Sequence, residues 1–171
     1  MKSSLFVKLF MSEEARDRWF SSAIRFVSDY GDWGKMNPTA ARECDGWAAS
    51  PGVEDFMSVR EFLDNIADFS RYFESRYDKE EGAFFVVDVQ HKSAMREIAE
   101  SVAALRGADA FIDDPRPGFI YVFPAVSGGD PEALMRITRG ESCFLPPNDT
   151  SPETLYLVSE AEDRVEEMLE S

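Results

Sequence analysis

The sequence predicts an α+β fold, a mixed or antiparallel sheet packed by amphipathic helices, and three observations predict it. Two dense apolar runs, AFFVVDV at 83–89 and FIYVF at 119–123, have the length and the aromatic and β-branched content of buried strands. Between them Met95, Ile98, Ala99, Val102 and Leu105 recur at helical spacing after Ser93, a candidate cap, and the run closes on Gly107. The 171 residues are 44% hydrophobic and 13% aromatic, enough for one substantial core, which excludes a disordered chain.

Taken in order, Ser4–Phe10 alternates, with Leu5, Val7 and Leu9 on one side and Phe6 and Phe10 on the other, as an opening strand does. Ser12 is a good helix N-cap, followed by Glu13 and Glu14 where the helix dipole favours acids. Trp19, Phe20, Ala23, Ile24, Val27 and Tyr30 extend that helix to a stop at Gly31. Residues 32–53 hold three glycines, two prolines and two tryptophans without a period, and irregular stretches of this length often carry function. Ser58 and Glu61 have capping-box spacing and open a second helix through Phe62, Leu63, Ile66, Phe69 and Phe73, ending near Tyr77.

After the DKEEG loop at 78–82 come the strand and helix already described, then a further strand in ADAFIDD at 108–114 and the strand at 119–123, with Pro115, Pro117 and Gly118 supplying the turn between these two. Asp130 and Pro131 then mark the start of a short helix to about Arg139. Cys143–Leu145 reads as a short strand and Thr154–Val158 as a longer one. Ser159 and Glu162 form another capping box, opening a last helix through Ala161, Val165, Met168 and Leu169. Residues 83–158 therefore spell βαββαβ, the ferredoxin-like order. A β-α-loop-α part over 1–82 precedes them and an acidic C-terminal helix over 159–171 follows, all within a single domain.

The net charge of −15 is uneven: residues 107–171 hold 14 acids against 4 bases. Such a surface repels nucleic acid and anionic membranes and steers towards basic partners. No stretch approaches the length of a membrane span, and MKSSLFVKLF is too short and too interrupted by Lys8 to be a signal peptide. Cys44 and Cys143 have neither metal nor redox spacing. A cytoplasmic protein with reduced cysteines, no cofactor and no metal is the expectation.

No stretch carries a catalytic signature. His91, the only histidine, stands between a strand and a helix, close to Asp88, which could orient its ring for acid–base work on a small molecule. No nucleophile accompanies the pair, since GESCF lacks the G-x-S-x-G spacing. Ser127-Gly128-Gly129 before a helix could cradle an anion, but Asp130 at the cap would take those donors itself.

In RPGFIYVF, Phe119, Tyr121 and Phe123 point to one face of a strand within the βαββαβ order. This resembles the RNA recognition motif family, and FFVVDV at 84–89 sits where that family's first strand would be. The resemblance implies single-stranded RNA stacked on those aromatics. Pro117 and Ile120 depart from the family pattern, and residues 83–158 hold 11 acids against 6 bases, where RNA binding wants basic grooves.

The acids cluster at Asp113–Asp114 and on the last helix, where Glu160, Asp163, Glu167 and Glu170 follow at three- and four-residue steps. Trp33 and Trp47 in the irregular stretch are either core plugs or exposed anchors of the kind that dominate protein interfaces. The acidic DRVEEMLES tail, the GDWGKMNP loop and the compact size together resemble the small acidic immunity proteins of bacteria. That resemblance implies a protein that binds and blocks a toxin, often a basic nuclease. The candidate partner-binding residues are accordingly Trp33, Trp47, Asp113, Asp114, Glu160, Asp163, Glu167 and Glu170.

Overall fold

Leu5, Val7 and Leu9 alternate with Phe6 along β1 (Ser3–Phe10), and all four side chains are buried. A strand buried on both faces must lie inside a sheet with layers on either side. The computed structural model, which describes residues 2–36, 57–92, 94–124 and 131–171, places it there. Five further strands, β2 (Tyr72–Asp78), β3 (Ala83–Lys92), β4 (Gly118–Pro124), β5 (Ala133–Thr138) and β6 (Glu141–Phe144), complete one sheet. Its order is β2-β3-β1-β4-β5-β6 and every neighbouring pair is antiparallel. The α+β class is as the sequence predicts, and the parts 1–82 and 83–158 share this sheet through β1.

The helices fall on both sides. On one face Leu5, Val7, Leu9, Phe84, Val86, Ile120 and Val122 meet α1 (Glu13–Phe20), α2 (Val59–Phe69) and α3 (Met95–Arg106). On the other, Phe6, Phe85, Val87, Tyr121 and Leu134 pack beneath α4 (Pro152–Glu170) through Leu157 and Ala161, flanked by Val158, Val165 and Met168. Full burial of such side chains contributes roughly 1.5–3 kcal/mol each. Gly118 permits a close approach at the centre: a Cβ there would lie 2.8 Å from the Lys8 carbonyl oxygen and 3.1 Å from Leu9 Cα.

A buried arginine fastens the irregular segment after α1. The Arg106 guanidinium, 2% exposed, pairs with both carboxylate oxygens of Asp32 at 2.7 and 2.8 Å and donates to the Ser142 carbonyl at 3.0 Å. It lies 3.9 Å from the centre of the Tyr30 ring, with Trp33 and Phe144 close by. Burial alone would raise the Asp32 carboxyl, but the hydrogen bonds and charge of Arg106 hold it below its usual value.

Several elements differ from the sequence reading. The first helix stops at Phe20 instead of Gly31. The Ser21 and Ser22 hydroxyls donate to the Asp17 and Trp19 carbonyls at that end, and Ala23 then bridges to Ser58. Ile24 and Val27 are buried as expected, but from extended and 3₁₀ backbone. The second helix ends at Phe69, and Tyr72–Asp78 is an edge strand. Phe69, Phe73 and Tyr77 share a four-residue spacing that fits a helix, yet pairing with β3 takes the last two.

The helix expected over 131–139 is strand β5: Ala133, Met135 and Ile137 face one layer, Leu134 the other, and Arg136 is exposed. The strand expected at Thr154–Val158 and the helix from Ser159 are one helix, α4. It is capped by Ser151 with Pro152 in its first turn, so Ser159 lies mid-helix. The strand expected in ADAFIDD is instead a 3₁₀ turn over Gly107–Ala110 followed by irregular backbone up to β4. The C-terminal part therefore runs βαβββα and departs from the βαββαβ, ferredoxin-like order. Ser93, Ser127 to Asp130, Cys44 and Trp47 lie outside the described residues.

Gly118→Ala should lower the unfolding free energy by about 1–3 kcal/mol in a denaturant titration, because the added methyl meets β1 backbone that cannot yield. Asp32→Ala should cost about 3 kcal/mol by leaving Arg106 buried without its counter-ion. A carboxylate lowered in the folded state stabilises above its unfolded pKa, and the gain is lost as pH falls through the folded value. The wild-type advantage over Asp32→Ala should therefore be constant above the usual carboxylate range and shrink as pH falls below it, read from unfolding titrations across that range.

Candidate functional site: a buried histidine cluster and an acidic helix face

The most concentrated chemistry lies where β3 ends. Asp88 faces the layer of α1, α2 and α3, two residues on from Val86. Strict alternation would send His91 to the opposite face. Instead the pairing of β1 with β3 slips between Ser3 and Leu5, and Gln90 takes a left-handed φ of 60°. The irregularity rephases the strand and turns His91 back beside Asp88. A non-glycine residue in that conformation costs on the order of 1 kcal/mol, a strain that tends to persist where a site depends on it.

The result is a chain of four side chains from three elements. His91 Nδ1 is hydrogen-bonded to one Asp88 carboxylate oxygen, and the Ser70 hydroxyl, just after α2, donates to the other. His91 Nε2 lies 2.7 Å from the Oγ of Ser101, which projects from α3 and is also 3.1 Å from the Glu97 carbonyl. Asp88, His91 and Ser101 are all buried. In the tautomer whose Nδ1–H donates to Asp88, Nε2 is an acceptor, and the one Ser101 hydroxyl proton is shared between that nitrogen and the Glu97 carbonyl. Beside the cluster opens a cavity of about 520 Å³, walled on one side by Phe62, Ile66 and Phe69 of α2. Phe69 is 84% exposed at its edge.

His91 and Asp88, paired on sequence proximity, thus do meet. Ser70 and Ser101 were not singled out. Ser101 stands three residues after Ile98 and four before Leu105 on the buried face of α3, and a polar residue in that position was the available signal. Among the described residues no three His, Cys, Asp or Glu side chains are placed to hold a metal ion.

The second surface is the outer face of α4. Leu155 and Tyr156 are exposed near its start, and Asp163, Glu167 and Glu170 are exposed further along. Leu169, expected to pack with Val165 and Met168, is exposed too, where that stripe reaches the end of the helix. The helix carries seven acids and one base, Arg164, which reaches Glu167 at 3.5 Å. Glu160 is not part of that open face. It turns inward to Lys8 at 2.9 Å, and Glu81 approaches the same ammonium at 2.9 Å. Burial would lower the Lys8 pKa, but the two carboxylates outweigh it and hold the group above its usual value. Beside Tyr156 a groove of about 410 Å³ runs between α4 and the sheet, lined by Phe10, Pro117 and Phe119.

The other candidate partner-binding residues are placed differently. Trp33 is buried, with its indole N–H donating to the Val27 carbonyl at 2.9 Å, so it plugs the core and is not an exposed anchor. Asp113 accepts from the backbone N–H and hydroxyl of Ser12 at the start of α1. Asp114 is held by the Arg116 guanidinium at 2.9 Å. Both carboxylates are occupied within the fold. Trp47 lies outside the described residues. Phe119, Tyr121 and Phe123 share one face as expected, with Tyr121 and Phe123 stacked at 4.6 Å, but α4 covers that face. Burial, with Glu162 nearby, pushes the Tyr121 hydroxyl up to about 12.

Asp88→Ala strips the acceptor from both His91 and Ser70 inside the protein. It should reduce the unfolding free energy by roughly 2–4 kcal/mol, measured by urea titration at neutral pH.

No helix among the described residues is long and apolar enough to cross a membrane. No protein-family model, curated protein or solved structure matches the chain.

Proposed function

We propose that the chain is a protein-binding module, an immunity-type protein of the bacterial cytoplasm that neutralises a basic partner, such as a nuclease toxin, by seating it on the outer face of α4. The observation that carries this reading is the composition of that face. Leu155 and Tyr156 are exposed side by side, Tyr156 at the rim of the groove, on a helix whose seven acids a single arginine offsets. Interfaces combine adjacent apolar anchors of this kind with a charged rim. The acids draw a basic partner in, and the apolar side chains with the adjoining groove hold it.

The test is a pull-down from the native cell at low salt with wild type and with the charge-reversed variant Asp163→Lys/Glu167→Lys/Glu170→Lys. A basic protein retained in equal amount by wild type and lost by the variant is the expected result. With that protein purified, its association rate should fall steeply between 50 and 500 mM salt while dissociation changes little, as steering by charge requires. Tyr156→Ala should weaken binding by about 10-fold or more, chiefly through faster dissociation. A partner held equally by the charge-reversed variant, or an association rate indifferent to salt, overturns the reading.

A further inference from the structure

The cluster at the end of β3 is separated from α4 by the full thickness of the sheet, and the proposed docking face makes no use of it. Its geometry has the three parts of a base-activated nucleophile. Ser101 Oγ lies 2.7 Å from His91 Nε2, Asp88 engages His91 Nδ1, and Ser70 fixes the far oxygen of Asp88. This is the arrangement in which a hydroxyl passes its proton to an imidazole held in one tautomer by a carboxylate. A purely structural cluster needs neither the left-handed Gln90 that turns the histidine inward nor an adjoining cavity of about 520 Å³. Both are present, and Asp88, His91 and Ser101 all line that cavity.

We propose that Ser101 is an acyl-accepting nucleophile, with His91 its general base, acting on small carboxylic esters that carry an apolar acyl group. The acyl class rests on Phe62, Ile66 and the exposed Phe69, the apolar part of a lining that also carries Lys2, Arg71 and Glu100 and is mostly polar. In the first step Ser101 Oγ bonds to the acyl carbon and its proton moves to His91 Nε2. The ester C–O bond then breaks as that proton passes to the departing alcohol. In the second step water, deprotonated by the same nitrogen, attacks the acyl-serine, releasing the carboxylic acid and restoring the hydroxyl. Water is the only co-reactant. Asp88 and Ser70 are positioning residues, since neither touches the reacting atoms.

The test starts from the unmodified protein. Incubation with an alkyl fluorophosphonate at pH 8, followed by peptide mass spectrometry, should show one adduct, on Ser101. The unmodified protein should hydrolyse p-nitrophenyl butyrate, and labelling should abolish that hydrolysis. Ser101→Ala, which keeps a good helix former in α3, should remove the adduct and lower the hydrolysis rate by at least about 100-fold. Ser70→Ala should slow labelling without moving the adduct from Ser101, an effect a merely structural serine does not have. An unlabelled protein, an adduct on another residue, or hydrolysis undiminished in Ser101→Ala overturns the proposal. Because the first readout needs no substitution, a failure of either variant to fold does not shelter it.

Discussion

β1 has neither a free edge nor an open face, and the rest of the molecule is arranged to satisfy that constraint. Its backbone is hydrogen-bonded to β3 on one side and β4 on the other. Its side chains divide between the two layers, so helices are needed on both faces of the sheet. The one charge within it, Lys8, is 6% exposed and could not stay there unpaired. Glu160 from α4 and Glu81 from the turn between β2 and β3 supply the counter-charges. The ion pair with Glu160 therefore also ties α4 to the central strand, and removing that carboxylate weakens the seat of the helix as well as an ion pair.

What the sequence could reveal of this depended on whether a periodicity was strong enough to survive its tertiary setting. β1, β3, β4 and α3 were legible because each holds five or more buried residues in one period. The misread elements are those in which a short apolar series fits two periods. Phe69, Phe73 and Tyr77 repeat every four residues and also alternate as 73, 75 and 77 along β2. Ala133, Met135 and Ile137 alternate, but Pro131 ahead of them imitates a helix start. At Thr154–Val158 the local residues favour a strand, and only the Ser151-Pro152 cap and the Leu157–Ala161 stripe reveal a helix. Tertiary pairing decided each case, and a single sequence does not contain it.

The site was half legible for a different reason. Asp88 and His91 are neighbours in the chain, so their pairing could be read, but the slip that lets them meet is a property of two strands in register. Ser70 and Ser101 lie 18 and 13 residues from Asp88, on separate elements. Nothing in their local sequence distinguishes them from any cap or helix-face serine. The candidate acids show the converse. Asp113, Asp114 and Glu160 look like free surface charge in the sequence, yet the fold brings Ser12 to Asp113 and Lys8 to Glu160, and Asp114 is paired with its near neighbour Arg116. Asp163, Glu167 and Glu170 stay open because α4 presents that side to solvent.

The central position of β1 also sets an order of events for the chain as it is made. β1 pairs with β4 over separations exceeding 100 residues, Ser3 with Pro124 and Lys8 with Phe119. Of the six strands it leaves the ribosome first, with Leu5, Phe6, Val7 and Leu9 uncovered, and its second edge stays open until β4 has followed. Loop closure of that length precedes the contacts between β1 and β4, which slows completion of the sheet. Through that interval the apolar strand is a ready edge for pairing with another chain, and a molecular chaperone that shields it would raise the yield of folded protein.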